Sequence, residues 1–370
     1  MEVWRLIDLG MAEPLLAQTF YEAVANEVDR GASKNTIILV QPSSPYVCIG
    51  FHQELEKEID LDYCKKKKLM VIRRSQGGGA TYLDSDQVFY QVVARGDSKT
   101  IPVGIHELFE KFLSVTVFVY RKLGLPAEYK AINDVIVNGR KISGNGAGSF
   151  GKDTIILVGN IILDLDYNSM SRVLKVPSEK FRDKMAKSMM EWVTSITREL
   201  GYTPPPEIVK KLLAEGYETI LGIKLVQDKP TNREWEIWES EVKQRHLSNE
   251  WVNMPELRHR NLAIAREVKI AEGVRIVEVT HKANKLIRLR AELVGNKLRD
   301  LMLSGDFFIV PENALPELES ALKDANLERS CISRRVLEFY KTSGIQTPGV
   351  NPEDFVDAIM RLADNGEKAG

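Results

Sequence analysis

The chain has 370 residues, 44% of them hydrophobic, with 51 Lys+Arg against 52 Asp+Glu; on a prior of roughly 150 residues per domain it predicts two domains with sizeable cores. A net charge of -1 argues against nucleic acid or a membrane surface as the main partner, and no apolar run approaches the roughly 20 residues that span a bilayer. Three scattered cysteines and an amino terminus without the apolar core of a signal peptide predict a soluble, cytoplasmic protein without a disulfide framework.

Residues 36–40 and 46–50 read as paired strands joined through Pro42 and Pro45, and residues 69–72 add another strand. The four lysines at 65–68 coat a solvated helix end. Cys48, inside an apolar strand, reads as a small hydrophobe rather than a nucleophile. Residues 72–94 then run strand, Arg73-Arg74, Gly77-Gly78-Gly79, strand, turn, strand. Three residues without Cβ let backbone N–H groups approach a ligand closely, which suits phosphate or an acyl chain. No Gly-Lys-Ser/Thr follows, so this is not a P-loop, and a strand rather than a helix follows, so it is not a dinucleotide fingerprint. Taken alone, the glycines are equally well read as a flexible turn.

Leu108, Phe112, Val115, Val119 and Leu123 recur at helical spacing and predict a helix over residues 102–124. Asn138-Gly139 then signals a two-residue type I′ turn. It closes Val137 onto Arg140, pairs Ile136 with Lys141 and Asp134 with Ser143, and sets Asp134, Lys141 and Ser143 on one face. By itself such a hairpin is more simply an exposed edge guarded by a lysine. Residues 154–158 and 160–165 read as strands and residues 178–200 as a helical run. A transition region holds Pro204-Pro205-Pro206, a helical stretch, a strand at 222–226 and a charged helix at 231–246. Beyond Met254-Pro255, strands at 275–279, 286–293 and 298–302 form a meander, and Asn351 caps a last helix with Phe355, Ile359 and Leu362 inward. The five histidines are widely spaced with no His-x-x-x-His pair, so a zinc site has little support. Strands and helices alternate irregularly, giving α/β or α+β over residues 1–253, and a small α+β unit follows over residues 254–370.

Arg73, Arg74, Gly77, Gly78, Gly79, Ala80, Tyr82 and Asp84 fit an Arg-Arg-x-(Ser/Thr)-Gly-Gly-Gly-Ala-Val-(Tyr/Phe)-His-Asp pattern. Asn133, Asp134, Gly139, Lys141, Ser143 and Gly144 fit an Asn-Asp-(aliphatics)-Gly-(Arg/Lys)-Lys-(Ile/Val)-Ser-Gly pattern. Together these segments resemble the lipoate-protein ligase family, within the wider biotin and lipoate ligase group. Residues 163–166, 171–177 and 193–196 look like that family's later segments in the same order, so the likeness spans roughly residues 1–250. Residues 300–308 and 350–355 look like the accessory domain of long-form ligases, which accompanies enzymes that make an acyl adenylate.

The resemblance implies an α+β, biotin/lipoate-ligase-like fold, a mixed, largely antiparallel central sheet flanked by helices with a small α+β accessory domain, and an ATP-dependent ligase acting as a monomer. It would activate lipoate, or octanoate, as acyl-AMP and pass it to a lysine of an acceptor protein. That acceptor is a lipoyl domain of a 2-oxoacid dehydrogenase, the glycine-cleavage H protein or a dedicated lipoate-carrying protein, with Mg²⁺ arriving with ATP. Lys141 is the catalytic candidate, offsetting charge at the α-phosphate. Arg74, Gly77, Gly78, Gly79, Ala80, Asn133, Asp134, Ser143 and Gly144 would hold the nucleotide and adenylate, and Gln76, Tyr82, Val47 and Val158 would line the acyl pocket. Gln76 stands where Ser or Thr is usual, Leu83 and Val158 where His is common, and Trp192 where Arg often occurs. These departures cluster near the site and point to a specialised ligase. A transferase that takes octanoyl or lipoyl groups from a thioester, and a non-catalytic lipoyl- or nucleotide-binding protein, remain as alternatives.

Overall fold

The computed structural model describes residues 1–176, 179–259, 262, 269–271 and 274–364. Two compact units emerge: Met1–Ile49, Glu58–Arg74 and Ala80–Ser248 form the first, and Gly50–Lys57, Ser75–Gly79 and Asn249–Gly370 the second.

The first unit contains strands β1 (Val3–Ala12), β2 (Thr36–Pro42), β3 (Tyr46–Ile49), β4 (Met70–Arg73), β5 (Thr81–Leu83) and β6 (Gln87–Arg95), then β7 (Ala127–Lys130), β8 (Asp134–Val137), β9 (Arg140–Phe150), β10 (Thr154–Ile162) and β11 (Lys224–Asp228). Eight of them make one sheet in the order β11-β1-β2-β6-β10-β9-β8-β7. The pairs β11–β1 and β1–β2 are parallel and the other five are antiparallel. Every residue of β2 is buried, because helices cover both faces. On one side Phe20, Val24 and Val28 of the helix Pro14–Asp29 pack with Ile38, Val40, Phe89, Val93 and Ile156. On the other, Thr116 of the helix Ile105–Lys122 donates to the Tyr90 hydroxyl at 2.7 Å, and Tyr217 of the helix Pro206–Leu221 meets the Tyr90 ring edge-on. The spacing that predicts a helix over 102–124 is borne out by Ile105–Lys122.

Three local expectations are corrected. β2 and β3 do not pair: β1 and β6 occupy both flanks of β2, and β3 joins a separate sheet between β4 and β5. Residues 154–162 form one unbroken strand rather than two, with Gly159 inside it. The helical run expected to Leu200 is Glu179–Trp192, then an extended stretch, then Ile196–Leu200; its expected first residue, Ser178, and the neighbouring Pro177 lie outside the described residues. The break follows from backbone pairing, since Val193 bridges Lys141 and Thr194 N–H donates to the Lys141 carbonyl at 2.8 Å. Ser195 then caps the next helix by accepting from Arg198 N–H.

The second unit has an antiparallel sheet of β12 (Lys269–Ala271), β13 (Val274–Lys282), β14 (Leu286–Val294), β15 (Lys297–Gly305) and β16 (Ala325–Asn326) in sequence order. The helices Leu315–Leu322, Arg329–Ser343 and Pro352–Asp364 share a core with it through Leu289, Leu303, Leu318, Ile332, Phe355 and Ile359. The meander and the inward face of the last helix match the sequence pattern.

Two buried charges in the first unit have measurable consequences. The Arg5 guanidinium of β1 donates to both Glu234 oxygens at 2.6 and 3.1 Å and to Asp228 at 2.9 Å. Glu234 is fully buried and also closes a capping box with Thr231 at the start of Asn232–Ile237. Arg5→Ala leaves that carboxylate uncompensated, so urea unfolding followed through tryptophan fluorescence should show a loss of about 3–5 kcal/mol. In the β5–β6 turn, Asp84 accepts from Asp86 N–H at 3.1 Å and Gln87 Nε2 at 3.2 Å. Burial, helped by the nearby Asp86 and Asp166 charges, pushes its carboxyl up to about 6 against those hydrogen bonds. The folded chain thus holds this proton more tightly than the unfolded chain does. The cost of ionising Asp84 is absent below about pH 4, grows as pH rises to about 6, and is full above it. Asp84→Asn should therefore stabilise by about 2 kcal/mol at pH 7.5 and by nearly nothing at pH 4, as read from chemical denaturation at the two pH values.

Candidate active site

The β8–β9 hairpin builds the site from its turn outward. Asn138 (φ 50°) and Gly139 (φ 78°) both take the left-handed conformation that a type I′ turn requires. Val137 opposes Arg140 and Ile136 opposes Lys141, as the turn dictates; the register then shifts, so that Val135 opposes Ser143 and Asp134 opposes Gly144. The expected Asp134–Ser143 pairing is displaced by one residue. Ile142 is the inserted residue, a β-bulge: its side chain is fully buried and its carbonyl accepts from the Tyr120 hydroxyl at 2.6 Å. Ser143 consequently turns inward, fully buried, and donates to the Asn160 carbonyl at 2.7 Å.

Lys141 still reaches Asp134, Nζ to Oδ1 at 2.6 Å, with side chains 37% and 32% exposed. Both side chains are partly exposed, whereas the strand beneath them is fixed by Tyr120 on the Ile142 carbonyl and by Thr194 on the Lys141 carbonyl. The ammonium is thus held by a partner that an incoming anion can replace, on a backbone that need not move.

Behind the hairpin lies a chain of buried amides. Asn133 Nδ2 donates to the Asn145 carbonyl at 2.6 Å, and Asn145 Nδ2 returns a bond to the Asn133 carbonyl at 3.0 Å. Asn145 Oδ1 accepts a short bond from the Tyr90 hydroxyl. Asn160 Oδ1 accepts from Gly144 N–H at 2.8 Å while its Nδ2 donates to Gln87 Oε1 at 2.7 Å, and Gln87 passes the chain on to Asp84. A Cβ at Gly159 would stand 2.2 Å from Asn145 Oδ1 and 2.4 Å from the Tyr90 hydroxyl, so only glycine admits this crossing. Asn133, Asp134, Lys141, Ser143 and Gly144 are therefore brought together, and Asn145, Asn160, Gln87 and Tyr90 are their supports. Sequence reasoning missed those supports, although amides inside otherwise apolar strands were a visible signal.

Arg74 follows β4, with its N–H on the Ile49 carbonyl at 3.1 Å and its guanidinium 3.5 Å from Cys48 Sγ. Val47 is fully buried beside it, opposite Tyr82 in the β3–β5 pair. Burial and the Asp84 charge push the Tyr82 phenol up to about 12. Val158 lies on β10 between Gln91 and Gly146. Ala80 opens the return into the first unit, while Gln76 and Gly77–Gly79 belong to the second. Gln76 is buried there, and its carbonyl accepts from Phe51 N–H at 3.0 Å.

Cys48 and Cys64 are both buried, with thiols raised by desolvation, to about 11 for Cys64. Neither has the depressed, exposed character of a nucleophile. Among the described residues no group of three or more His, Cys, Asp or Glu is placed to hold a metal ion, and no helix is long and apolar enough to cross a membrane.

Comparison with known proteins agrees with this geometry. Residues 13–218, more than half of the chain, match the model of the lipoyl protein ligase A/B catalytic domain. Lipoate-protein ligase A subunit 1 of Thermoplasma acidophilum is 34% identical over 221 residues, 57% of this chain and 82% of that protein. Lipoate-protein ligase LplJ of Bacillus subtilis is 28% identical over 327 residues, 87% of this chain and 90% of its own. Octanoyltransferase LipM of Halalkalibacterium halodurans is 28% identical over 278 residues, 68% of this chain and 99% of its own. Among solved structures, a bipartite lipoate protein ligase from T. acidophilum superposes with a TM-score of 0.60 at 28% identity, over 73% of this chain and all of that one. A lipoate-protein ligase A bound with ATP gives 0.59 at 25% identity, over 68% of this chain and 98% of that one. P. falciparum LipL1 shares the fold at 14% identity, with a TM-score of 0.64 over 97% of this chain and 99% of its own. With the family model matching more than half of the chain and a relative 34% identical over most of its own length, the chain is a member of the lipoyl protein ligase A/B catalytic-domain family.

Proposed function

We propose that the protein is an ATP-dependent lipoate-protein ligase, activating lipoate or octanoate as its adenylate and transferring the acyl group to a lysine of an acceptor protein. The observation that carries this reading is the Lys141 ammonium, 2.6 Å from an exchangeable carboxylate on a hairpin whose backbone is fixed on both sides. In the first step a substrate carboxylate oxygen attacks the α-phosphorus of ATP, the bond from that phosphorus to the bridging oxygen breaks, and pyrophosphate leaves. Lys141 exchanges Asp134 for the α-phosphate and offsets the charge gathering there, and Mg²⁺ arriving with ATP would shield the charge of the departing pyrophosphate. Asn133 and Asp134 hold the nucleotide side, with Asn145 and Asn160 fixing the backbone that carries them.

In the second step the acceptor amine, having lost its proton, attacks the acyl carbon and AMP leaves with the bonding pair. Its reference pKa of about 10.4 keeps that amine mostly protonated at neutral pH, so precise placement supplies much of the rate. A lipoyl domain of a 2-oxoacid dehydrogenase, a glycine-cleavage H protein or a dedicated lipoate carrier fits this chemistry as acceptor. A ligase relative that extends over 87% of the chain and a structural neighbour solved with ATP support adenylation. So do the buried thiols, which leave Cys48 and Cys64 unsuited to carrying an acyl thioester.

The octanoyltransferase relatives favour a second reading, transfer from a carrier thioester without ATP. Mass spectrometry of apo-acceptors incubated with free lipoate, with and without ATP, separates the two: a lipoyl mass on one lysine only with ATP supports the ligase. Modification only from an octanoyl carrier protein, indifferent to ATP, supports the transferase. Lys141→Ala should lower adenylate formation by about a thousandfold, roughly 4 kcal/mol of transition-state stabilisation. Its stability should change by no more than about 1–2 kcal/mol, because both side chains of the Asp134 pair are partly open to water; full activity in that variant contradicts the assignment.

A further inference from the structure

We infer that Glu199 is a positioning residue for Lys141: its carboxylate ties the tip of the β8–β9 hairpin to the segment that holds the Lys141 main chain, and so fixes where the ammonium can reach. The inference rests on the ligase reading above, in which Lys141 is the catalytic residue, and every residue in it belongs to the first unit. Three side chains donate to this one carboxylate. Oε1 accepts from Arg140 Nη2 at 2.6 Å and from the Thr194 hydroxyl at 2.5 Å, and Oε2 accepts from Asn138 Nδ2 at 3.0 Å. The Glu199 side chain is only 6% exposed, against 30% for Arg140. Burial acts to raise its carboxyl, yet these donors and the Arg140 charge hold it below the usual carboxylate range. The carboxylate is therefore ionised at neutral pH, and its hydrogen bonds are of the stronger, charge-assisted kind.

The three donors flank Lys141. Asn138 is the turn residue at φ 50°, Arg140 immediately precedes the lysine, and Thr194 N–H donates to the Lys141 carbonyl at 2.8 Å while Val193 bridges the same residue. The helix that carries Glu199, Ile196–Leu200, is itself seated on the end of the sheet. Ser195 Oγ accepts from Arg198 N–H and donates to Asp164 Oδ1 at 3.2 Å, and Thr197 N–H donates to the Leu163 carbonyl at 2.9 Å. Glu199 thus joins two backbones, the hairpin and the segment 193–195, at one buried point beside the lysine.

An ammonium stabilises charge developing at phosphorus only if it is already in place when that charge appears. A clamp on the strand that carries it therefore acts on the rate of the chemical step and not on the affinity for ATP or acid. Glu199 works through the main chain of residues 138–141, so its whole contribution passes through the Lys141 side chain.

The test uses the full chain with Glu199→Ala, Glu199→Gln and Thr194→Val, each alone and combined with Lys141→Ala. In pyrophosphate release Glu199→Ala should lower kcat at least about tenfold and leave KM for ATP and for free acid within about threefold. Glu199→Gln, whose amide oxygen still accepts from Arg140 and Thr194, should recover kcat to within about threefold of the unaltered protein. Thr194→Val removes one donor and keeps the Thr194 main-chain bond to Lys141; its kcat should fall about threefold, and it serves if Glu199→Ala does not fold. On the Lys141→Ala background each of these changes should cost less than about twofold, because no ammonium is left to position, whereas a general loss of fold would cost the same on both backgrounds. An unaltered kcat in Glu199→Ala, or equal losses with and without Lys141, overturns the inference. If the unaltered protein releases no pyrophosphate with lipoate or octanoate, the ligase reading fails; the same variants are then scored on transfer from an octanoyl carrier protein, where losses confined to the Lys141 background support the clamp and equal losses overturn it.

Discussion

Everything catalytic in this account depends on one ion pair, Lys141 to Asp134 at 2.6 Å, carried by a bulged hairpin. In an unbulged hairpin Ser143 would share the outward face with these two side chains. The extra residue at Ile142 sends Ser143 into the interior, where it holds the Asn160 carbonyl, and leaves lysine and carboxylate facing one another. Tyr120 secures the bulge through the Ile142 carbonyl. A flexible ammonium is thereby placed by a rigid backbone, which is the condition for electrostatic help to a transferring phosphoryl group.

The support for that hairpin is polar and buried, a costly choice unless every group is paired. Asn133 and Asn145 exchange hydrogen bonds, Ser143 links Asn145 to the Asn160 carbonyl, and Asn160 and Gln87 carry the chain on to Asp84 in the β5–β6 turn. Gly159 admits the tightest crossing. This seam ties residues far apart in sequence, including Asp84 of one motif and Asn133 of the other. The two segments that resemble the family are thus joined by a physical link and not only by their order in the chain.

Much of this was legible in the chain. The Asn138-Gly139 turn needs two positive φ angles, a purely local demand, so the opposition of Ile136 and Lys141 could be read directly. The bulge was not legible, because it answers to burial of Ile142 and to Tyr120 on a distant helix. The pairing of β2 with β3 failed for a similar reason: proximity in sequence suggested it, but β1 and β6 had already taken both edges of β2. Gly77 shows a subtler gap. Its lack of a side chain was read as room for a ligand, and the structure adds a second requirement, the nearby carbonyl of Phe307. Trp192, which departs from the family pattern, is exposed at the end of its helix, immediately before the residue that bridges Lys141.

The relatives divide between lipoate-protein ligases and octanoyltransferases, and the two readings of this chain differ in whether it activates the free carboxylate itself. Exchange of labelled pyrophosphate into ATP reports the reversible first step alone, with no acceptor present. Exchange should require lipoate or octanoate and disappear when Lys141 is replaced by alanine. Acid-independent exchange, or none at all alongside efficient transfer from an acyl carrier protein, would contradict it.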